Sequence, residues 1–366
     1  MNPVTFIYDW IDRRIGLNDL TAKYLTGYLL PRNINIWYSM GSILLLIFGV
    51  QVLTGILLLV YYSPSIETAF KSITFIMNQV PFGWLIRTCH AVGANMMVLF
   101  LLIHMISVIF MGSYKAPREF NWLSGFGLLN MVFGICLTGY LLPWSQLSFW
   151  ATTVATSGAG SVPFIGEYIL EFVRGGKLVG APTLGRFFVL HVIVLPAGIA
   201  GLIGIHLFLL QRTGVSTPPS YDGPVEHWKG EQYEYEKHPD GIPFFPHFLV
   251  QDLVANCIYA IFFFAIVFFV PNIFFPAEAF FPANPFETPA HIKPEWYFLP
   301  NYQVLKIFPN EFIGLIVQGI AMTFLAALPF IDIWPKRNFL KRPLFLTCVM
   351  LGIFTFIGLM IWGHFS

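Results

Sequence analysis

Seven stretches of this chain are apolar for long enough to cross a lipid bilayer, which limits its possible folds more than any other feature. A helix of about 20 apolar residues spans the roughly 30 Å of hydrocarbon in a membrane. Hydrophobic residues make up 56% of the 366 positions and charged residues only 11%, which excludes an ordinary soluble domain. The stretches are Trp37–Tyr61, Trp84–Gly112, Leu123–Leu142, Arg186–Leu210, Leu249–Val270, Phe312–Phe330 and Pro343–Gly363. The sequence predicts an all-α polytopic membrane protein with about seven transmembrane helices, the first four forming a bundle.

Lysine and arginine predict how these helices are oriented. When the loops are assigned alternately to two sides, thirteen of the 20 basic residues fall on the amino-terminal side and seven on the other. Because cytoplasmic loops carry the excess of positive charge, the amino terminus is expected in the cytoplasm and the carboxyl terminus opposite, in a bacterial inner membrane. In residues 1–30 charged residues interrupt the apolar ones, so no cleaved signal peptide is expected. The segment predicts an amphipathic helix on the membrane surface, with a disordered leader as the alternative.

Four histidines lie inside two of the apolar stretches at almost equal intervals. The interval is 14 from His90 to His104 (104 − 90) and 15 from His191 to His206 (206 − 191). On an α-helix these intervals rise about 21 and 22 Å and bring each pair roughly to one face. Two such helices side by side could clamp two haems, one above the other, with His90 and His191 on the outer iron and His104 and His206 on the inner iron.

Other roles for a membrane histidine are packing, proton relay and metal binding. A zinc site needs clustered ligands, and the chain contains neither Cys-x-x-Cys nor His-Glu-x-x-His. Cys89 precedes His90 without the second cysteine of a c-type attachment motif, so the haems are expected to be two noncovalent haem b groups. The net charge of +1 gives no reason to expect a nucleic-acid partner.

Glycines on two other helices repeat the histidine interval. It is again 14 from Gly41 to Gly55 (55 − 41) and from Gly125 to Gly139 (139 − 125). A glycine allows the edge of a flat porphyrin to approach the backbone, so all four are predicted to contact haem. Arg87 and Arg186, shortly before His90 and His191, are candidates to pair with haem propionates, with snorkelling to lipid headgroups as the alternative.

Several motifs add to the four histidines a resemblance to a known family that covers essentially the whole chain. They are Gly139-Tyr140-Leu141-Leu142-Pro143-Trp144, Arg186-Phe187-Phe188-Val189-Leu190-His191 and Pro294-Glu295-Trp296-Tyr297. With these motifs the chain resembles cytochrome b of the quinol-oxidising cytochrome bc complexes. The run Phe298-Leu299-Pro300-Asn301-Tyr302-Gln303-Val304-Leu305 resembles subunit IV of the photosynthetic, plastoquinol-oxidising branch. The run Ser145-Gln146-Leu147-Ser148-Phe149-Trp150 is closer to the respiratory branch.

The longer second histidine interval and the count of seven helices also favour the photosynthetic branch, so the chain resembles a fusion of its two cytochrome subunits. Residues 1–215 would be the di-haem bundle with its amphipathic amino-terminal segment, and residues 216–366 the three-helix subunit-IV-like domain. The polar stretch Thr213–Gly241, rich in Pro, Gly, Glu and Lys, would link them.

The resemblance also shows where this chain departs from the family. Ser39 occupies the position of a cysteine that bonds a third haem in the photosynthetic branch, and serine cannot form that thioether; a noncovalent third haem stays open. Gln211 stands where respiratory members carry a histidine at the inner quinone site. Asp252 is the matching acid for protonation of quinone at that site.

The resemblance implies a quinol oxidoreductase subunit that works within a complex. Glu295 would accept a proton from quinol, because a desolvated carboxylate has a raised pKa; Tyr140 and Tyr297 would flank the same pocket. One electron would pass to a Rieske iron-sulfur partner and the other across the membrane through the two haems to quinone, storing energy by proton translocation. A c-type cytochrome or an equivalent acceptor and a dimeric complex are further implied.

Two other functions compete with this one. A di-haem membrane anchor that passes electrons between quinone and a peripheral dehydrogenase explains the histidines, but it explains neither Glu295 in its motif nor the three additional helices. A transporter with structural histidines is the other alternative, and an absent haem spectrum would favour it.

Overall fold

A computed structural model describes residues 2–219, 226–229, 234–237, 241–290 and 292–366. The amino-terminal part is built from ten α-helices. They are α1 (Pro3–Ile15), α2 (Leu17–Thr21), α3 (Met40–Leu59), α4 (Ala69–Asn78), α5 (Gly83–Met111), α6 (Glu119–Leu141), α7 (Gln146–Ser157), α8 (Gly166–Arg174), α9 (Ala181–Val189) and α10 (Leu195–Thr213). The carboxyl-terminal part adds α11 (Leu249–Phe269), α12 (Leu299–Ile307), α13 (Glu311–Ala326), α14 (Leu328–Ile331) and α15 (Pro343–Phe365).

Six helical segments in the described residues are long and apolar enough to span a membrane, so the all-α membrane fold is confirmed. They are Ile36–Leu59, Gly83–Met111, Glu119–Leu141, Ala181–Thr213, Phe244–Phe269 and Pro343–Phe365. The stretch predicted as the sixth of seven helices, Phe312–Phe330, forms the shorter apolar helix α13 and then the single turn α14. Pro329 at the start of α14 lacks the N–H that would continue α13, which explains the break.

Four spans form the predicted bundle. Helix α3 packs along α5 and helix α6 packs along α10, while α11 covers α5 and α3 from outside. Buried aliphatic residues such as Ile47, Val92 and Val98 fill the centre, whereas Ile261 and Phe269 point outward with 74% and 81% of their surface exposed. These helices are apolar on every side because lipid and protein core are equally apolar surroundings.

Short helices cover one end of the bundle, and they were not predicted from the sequence. Helices α4, α7, α8 and α12 lie between the membrane spans. The start of α7 is tied to the segment before α12: the Gln146 N–H donates to the Phe281 carbonyl (2.9 Å), and the Gln146 side-chain oxygen accepts from the Asn284 N–H (2.7 Å). These bonds hold the chain between α11 and α12 across the end of the bundle.

At the opposite end, one short antiparallel strand pair joins the two parts of the chain, and a second pair lies in the segment between them. Strand β1 (Leu29–Leu30) pairs with β4 (Ile242–Pro243), and β2 (Glu226–Lys229) pairs with β3 (Glu234–Lys237). The predicted linker Thr213–Gly241 therefore contains the β2–β3 pair. Its residues 220–225, 230–233 and 238–240 lie outside the described residues. The division into domains 1–215 and 216–366 stays a prediction.

A buried ionic cluster at this same end joins the α5–α6 loop to the chain after α14. The Asp332 carboxylate binds Lys115 Nζ (2.7 Å) and the Arg342 guanidinium (2.5 Å), and the Tyr114 hydroxyl donates to it as well. The side chains of Lys115 and Asp332 are each 9% exposed, and that of Arg342 is 4% exposed. Burial would raise the pKa of Asp332, but its donors outweigh burial and hold that pKa below its usual value.

The amino-terminal segment forms the predicted helix. The Asn2 side chain caps α1 by accepting from the Val4 N–H (3.1 Å), Pro3 occupies its first turn, and Gly16 ends it in a left-handed conformation (φ 65°). Apolar side chains of α1 such as Val4 and Ile7 are exposed. Their contact with a membrane surface stays a prediction.

Candidate functional site

Two cavities lie one beyond the other along the four-helix bundle. The first, about 250 Å³ in volume, is lined by residues of α3, α5, α6 and α10 that include His104 and His206; we call it the His104 cavity. The second, about 380 Å³, is lined by residues that include His90 and His191; we call it the His90 cavity. The structure therefore brings together the two histidine pairs that the sequence predicted, each in its own cavity.

The distance between the two rings in the His90 cavity fits a shared metal. The imidazole centroids of His90 and His191 are 6.2 Å apart. A metal bonded to one nitrogen of each ring at about 2 Å separates the ring centres by about 6 Å. The two rings thus leave room for a metal ion between them.

Hydroxyl groups fix which nitrogen of His90 and of His206 faces its cavity. Thr54 Oγ1 donates to the Val50 carbonyl (2.6 Å), so it accepts from His90 Nδ1 at 2.9 Å. Ser124 Oγ likewise donates to the Asn121 carbonyl (2.8 Å) and accepts from His206 Nδ1 at 2.9 Å. With the proton on Nδ1, the lone pair of Nε2 is left for a metal, which is the usual second-shell arrangement of ligand histidines.

The remaining two histidines differ from each other. His191 Nδ1 lies 2.9 Å from the Ile135 carbonyl, which can only accept, so this ring also carries its proton on Nδ1. The buried Nδ1 of His104 has no hydrogen-bond partner among the described residues. Three of the four rings are therefore oriented by a neighbouring helix.

A π-helical turn explains the unequal histidine intervals. Residues Leu190–Val194 form this turn between α9 and α10, and His191 lies within it. Pro196 follows in the first turn of α10, where it has no N–H for the Val192 carbonyl and its ring would crowd that carbonyl. The wider turn takes up one additional residue, so the longer interval rotates about as far as the shorter one does on α5.

Three of the four predicted glycines make room for histidine rings. A Cβ atom at Gly55 or at Gly125 would lie 3.3 Å from Cε1 of His90 or of His206, and one at Gly139 would overlap the His191 ring. Contact of porphyrin edges with these glycines stays a prediction. Gly41 lines the His104 cavity, and a Cβ there would meet nothing within 4 Å, which leaves space for the edge of a ligand.

The two predicted propionate-binding arginines have different surroundings. Arg87 lines the His90 cavity, with its guanidinium 5.0 Å from the Phe275 ring and 4.0 Å from Met77 Sδ. Arg186 is exposed and donates to the carbonyls of Phe172 and Glu171 at the end of α8, and it is not among the residues that line the cavity. Of the two arginines, Arg87 alone lines this cavity, and pairing of either one with a propionate stays a prediction.

Glu295 reaches the His90 cavity from the carboxyl-terminal part of the chain. Glu295 and Tyr297, from the loop before α12, line this cavity together with Tyr140 at the end of α6. Burial raises the pKa of the Glu295 carboxyl to about 7, although the nearby Tyr140 hydroxyl favours the charged form. A carboxylate with this pKa can both take and release a proton near neutral pH.

The loop that carries Glu295 is packed against the bundle. Tyr297 is 4% exposed and stacks on Phe133 of α6 (6.4 Å between centroids). The Trp296 indole N–H donates to Asn95 Oδ1 of α5 (2.8 Å). Asn95 was not predicted from the sequence, and neither were Thr54 and Ser124.

The residues predicted for the inner quinone site are only partly brought together. Asp252 on α11 is buried, and the hydroxyl groups of Ser39 and Ser42 are near its carboxyl group. Ser39 Oγ and Asp252 Oδ1 nevertheless have no partner at hydrogen-bond geometry among the described residues. Gln211 lies on an exposed face of α10, and it does not line the His104 cavity.

Comparisons with known protein families cover both parts of the chain. The family model described as Cytochrome b/b6/petB matches residues 25–214, and the one described as Cytochrome b(C-terminal)/b6/petD matches residues 282–366. The structure titled Hyperthermophilic respiratory Complex III aligns with 97% of this chain and 91% of its own, at a TM-score of 0.89 and 36% sequence identity.

Several proteins named cytochrome b or cytochrome b/c1 are also similar to this chain in sequence. Cytochrome b of Allochromatium vinosum is 36% identical over 361 residues, which are 96% of this chain and 86% of that protein. Cytochrome b of Rickettsia conorii is 36% identical over 93% of this chain and 82% of its own length. The Cytochrome b/c1 protein of Bradyrhizobium diazoefficiens is 37% identical, and the chain spans about half (49%) of its length.

Proposed function

The chain belongs to the cytochrome b family and is a membrane subunit of a quinol oxidoreductase of the complex III type, and from this premise we propose that it oxidises quinol in the His90 cavity. The two electrons would part there, one to a Rieske iron-sulfur partner and one across the membrane to the inner side. The observation that carries the proposal is that one cavity is lined by a histidine pair from the bundle and by Glu295, Tyr140 and Tyr297.

His90 with His191 and His104 with His206 would each hold one noncovalent haem b. One-electron transfer across the membrane is the chemistry that two such groups supply when bound. Thr54, Ser124 and the Ile135 carbonyl orient three of the imidazoles, and Gly55, Gly125 and Gly139 give three of the rings space. Because a histidine would bind such a group from each side of its cavity, the pairing favours electron transfer over oxygen binding.

Glu295 would act as the base for quinol. Quinol loses two protons when it loses two electrons, and a carboxylate in the same cavity can accept one of them. The partly buried Glu295 with a pKa of about 7 is ionised in a useful fraction at neutral pH and is protonated once it has taken the proton. Tyr140 and Tyr297, which line the same cavity, would limit the poses that quinol can adopt there.

The partners and the orientation follow from this assignment. The chain has no Cys and His ligand pairs of the Rieske type, so that cluster would be on another subunit of the complex, together with a c-type cytochrome or an equivalent acceptor. The His90 cavity would face the outer side of the membrane and the His104 cavity the cytoplasm. Release of quinol protons outside and uptake of protons inside would then translocate charge, and the complex would be a dimer.

Quinone would be reduced near Asp252 at the inner side. Its carboxyl group is buried on α11 close to Ser39 and Ser42. Asp252 Oδ1 and Ser39 Oγ have no partner among the described residues, which is the arrangement expected of groups that bind a ligand oxygen or a water molecule. Gln211 would contribute only from the exposed rim.

The proposal is tested by Glu295→Gln, which keeps size and polarity but cannot take up the proton. With inner-site turnover blocked, stopped-flow reduction of the outer haem by a short-chain benzoquinol should slow about 10- to 1000-fold, the range usual for loss of a general base. Haem content and assembly should not change. The matched control is Glu287→Gln on the same segment, whose exposed carboxylate is outside the cavity lining. A Glu295→Gln rate within twofold of the unmodified complex would remove Glu295 from the mechanism.

A further inference from the structure

The Trp296 indole N–H is a polar group in apolar surroundings. Trp296 packs against the main hydrophobic core of the bundle, which includes Met96, Met97 and Tyr297. A buried N–H without an acceptor loses its bond to water and gains nothing in return. Its acceptor is Asn95 Oδ1 at 2.8 Å. This single bond joins the loop of Glu295 to the helix that carries His90 and His104.

Asn95 is itself held in one orientation. Its side chain is on α5, five residues after His90, and is 6% exposed. Its Nδ2 donates to the Ala91 carbonyl one turn back (3.0 Å). Because an amide group has one donor end and one acceptor end, the bond to Ala91 leaves Oδ1 for Trp296. The two hydrogen bonds therefore require the same amide orientation and support each other.

The hydrogen bond between Trp296 and Asn95 lies beside the proposed site of quinol oxidation. Asn95 lines the His90 cavity together with Glu295 and Tyr297. Trp296 is the residue between those two, and its ring lies 5.3 Å from the Tyr297 ring. Backbone bonds from the N–H groups of Phe298 (2.8 Å) and Leu299 (3.2 Å) to the Glu295 carbonyl close the turn. Fixing the Trp296 indole therefore fixes the backbone on both sides of it.

We infer that Asn95 is a positioning residue for quinol oxidation: by holding Trp296, it keeps the Glu295 carboxylate directed into the His90 cavity. This inference rests on the proposed function of Glu295. Asn95 would not take up the proton itself, because its amide does not ionise in the physiological range. Its effect would be on the distance and angle between Glu295 and the quinol hydroxyl.

The test is a double-mutant cycle in the purified complex with Asn95→Leu, Trp296→Phe and both together. Leucine is close to asparagine in size but accepts no hydrogen bond, and phenylalanine keeps a ring but donates none. Each single change should slow outer-haem reduction by a short-chain benzoquinol about 10- to 100-fold, since a displacement of about 1 Å has an effect of this order. The double variant should be no slower than either single one, because both changes remove the same bond.

Two controls separate positioning from a general structural defect. Asn130→Leu removes an amide that makes the same bond to the carbonyl four residues back (2.8 Å, to Phe126) but is exposed on α6, and it should leave the rate unchanged. Reduction of the inner haem by quinol entering at the inner site, with the outer site blocked, should also be unchanged in Asn95→Leu. A loss of equal size by both routes would show a structural role and overturn the inference.

The other possible results of these experiments also support or contradict the positioning role of Asn95. Multiplication of the two single effects in the double variant would show that Asn95 and Trp296 act separately, which contradicts the inference. If Asn95→Leu fails to assemble, Trp296→Phe serves in its place, because it removes the same hydrogen bond from the side of the loop. An unchanged rate of outer-haem reduction in Trp296→Phe would overturn the inference. Glu295→Gln in the same assay separates the two ideas: a normal rate there refutes the proposed function, whereas a slow Glu295→Gln beside a normal Asn95→Leu refutes the positioning role alone.

Discussion

At the scale of the residue, the bundle orients two of its histidines, His90 and His206, through the side chain that precedes a spaced glycine. Thr54 precedes Gly55 and Ser124 precedes Gly125, and in both cases the hydroxyl accepts from the imidazole whose ring lies over the glycine. The glycine admits the ring and its neighbour sets the tautomer. Thr138 before Gly139 bonds instead to the carbonyls of Gly134 and Ile135, and the Ile135 carbonyl orients His191.

The sequence contains a signal for this arrangement of hydroxyl and glycine, because a hydroxyl residue precedes three of the four spaced glycines. The glycine interval alone predicts contact with porphyrin, whereas the hydroxyl residues before the glycines indicate that imidazole rings lie there as well. Asn95 could not have been identified in the same way. Its partner Trp296 is 201 positions away, and only the folded chain shows that an indole reaches α5 there.

The haem assignment predicts a selective loss. His90→Ala or His191→Ala removes one of the two imidazoles that meet in the His90 cavity, so the outer haem should be lost while the inner haem persists. Redox titration with a pyridine haemochrome assay on the purified complex would show one b-type haem in place of two. Two b-type haems per chain in either variant would show that the pairing is wrong.

The raised pKa of Glu295 predicts a pH dependence of quinol oxidation. A base works only when ionised, so the rate of outer-haem reduction should rise as the pH increases through about 7 and level off above it. The measurement is the stopped-flow rate between pH 5.5 and 8.5 in buffers of equal ionic strength. Glu295→Gln is the control, since it should lack this step. A step of the same size and midpoint in that variant would assign the titration to another group.

At the scale of elements, the fourth predicted span differs from the observed helix at one turn. The sequence predicted an uninterrupted span Arg186–Leu210, and the structure confirms a single span, Ala181–Thr213, with a π-helical turn at His191. A 3.6-residue periodicity cannot show such a turn, because apolar residues face both lipid and core on all sides. The longer histidine interval and Pro196 are the two traces that it leaves in the sequence.

The surface elements were not predictable for a related reason. Hydropathy identifies spans by length, whereas α4, α7, α8 and α12 are 9 to 12 residues long. Hydropathy also did not predict the break between α13 and α14, because Leu328 and Phe330 continue the apolar pattern on both sides of Pro329. The long spans needed only composition and length, which is why they were predicted to within a few residues.

Between elements, the Asp332 cluster predicts a loss of stability when its acid is removed. In Asp332→Asn the buried Lys115 and Arg342 would keep their charges with no carboxylate between them, a change that typically costs about 3 to 5 kcal/mol for a buried pair. The measurement is the thermal midpoint of the detergent-solubilised complex at pH 7. Exposed Glu311 on α13 supplies the control: Glu311→Gln should shift the midpoint little. Equal shifts in the two variants would contradict a specific role for the cluster.

The sign of the pH effect follows from the lowered pKa of Asp332. The stability that its ionised form contributes is fully present above its usual value of 3.8 and is lost as the pH falls through the lower value of the folded state. The cluster should therefore hold the α5–α6 loop unchanged across the whole range in which Glu295 titrates.

For the whole molecule, the connection between α10 and α11 predicts that the chain can be divided. Coexpressed pieces cut near Glu231, in the part of the linker outside the described residues, should assemble into a complex with both haems. Contacts on both sides of the membrane would hold them, among them the Asp332 cluster, Asn95 with Trp296, and Trp122 Nε1, which donates to the Leu325 carbonyl (3.0 Å). The measurement is co-purification of a tag on one piece with the other.

The control is the amino-terminal piece expressed alone, which should insert and bind haem without oxidising quinol, because Glu295 is on the other piece. Stable insertion of both pieces without association would count against a modular fusion. The same experiment tests the proposed division at residues 215 and 216, which contacts within the intact chain leave open.

The short pairing of Leu29–Leu30 with Ile242–Pro243 has a consequence for synthesis. Leu30 and Ile242 are 212 positions apart (242 − 30), and all four helices of the bundle are made between them. At about 5–20 residues per second, a ribosome reaches Ile242 about 10 to 40 s after Leu30. The first strand therefore stays unpaired until the bundle helices have been made, and it can pair only once synthesis of the carboxyl-terminal part has begun.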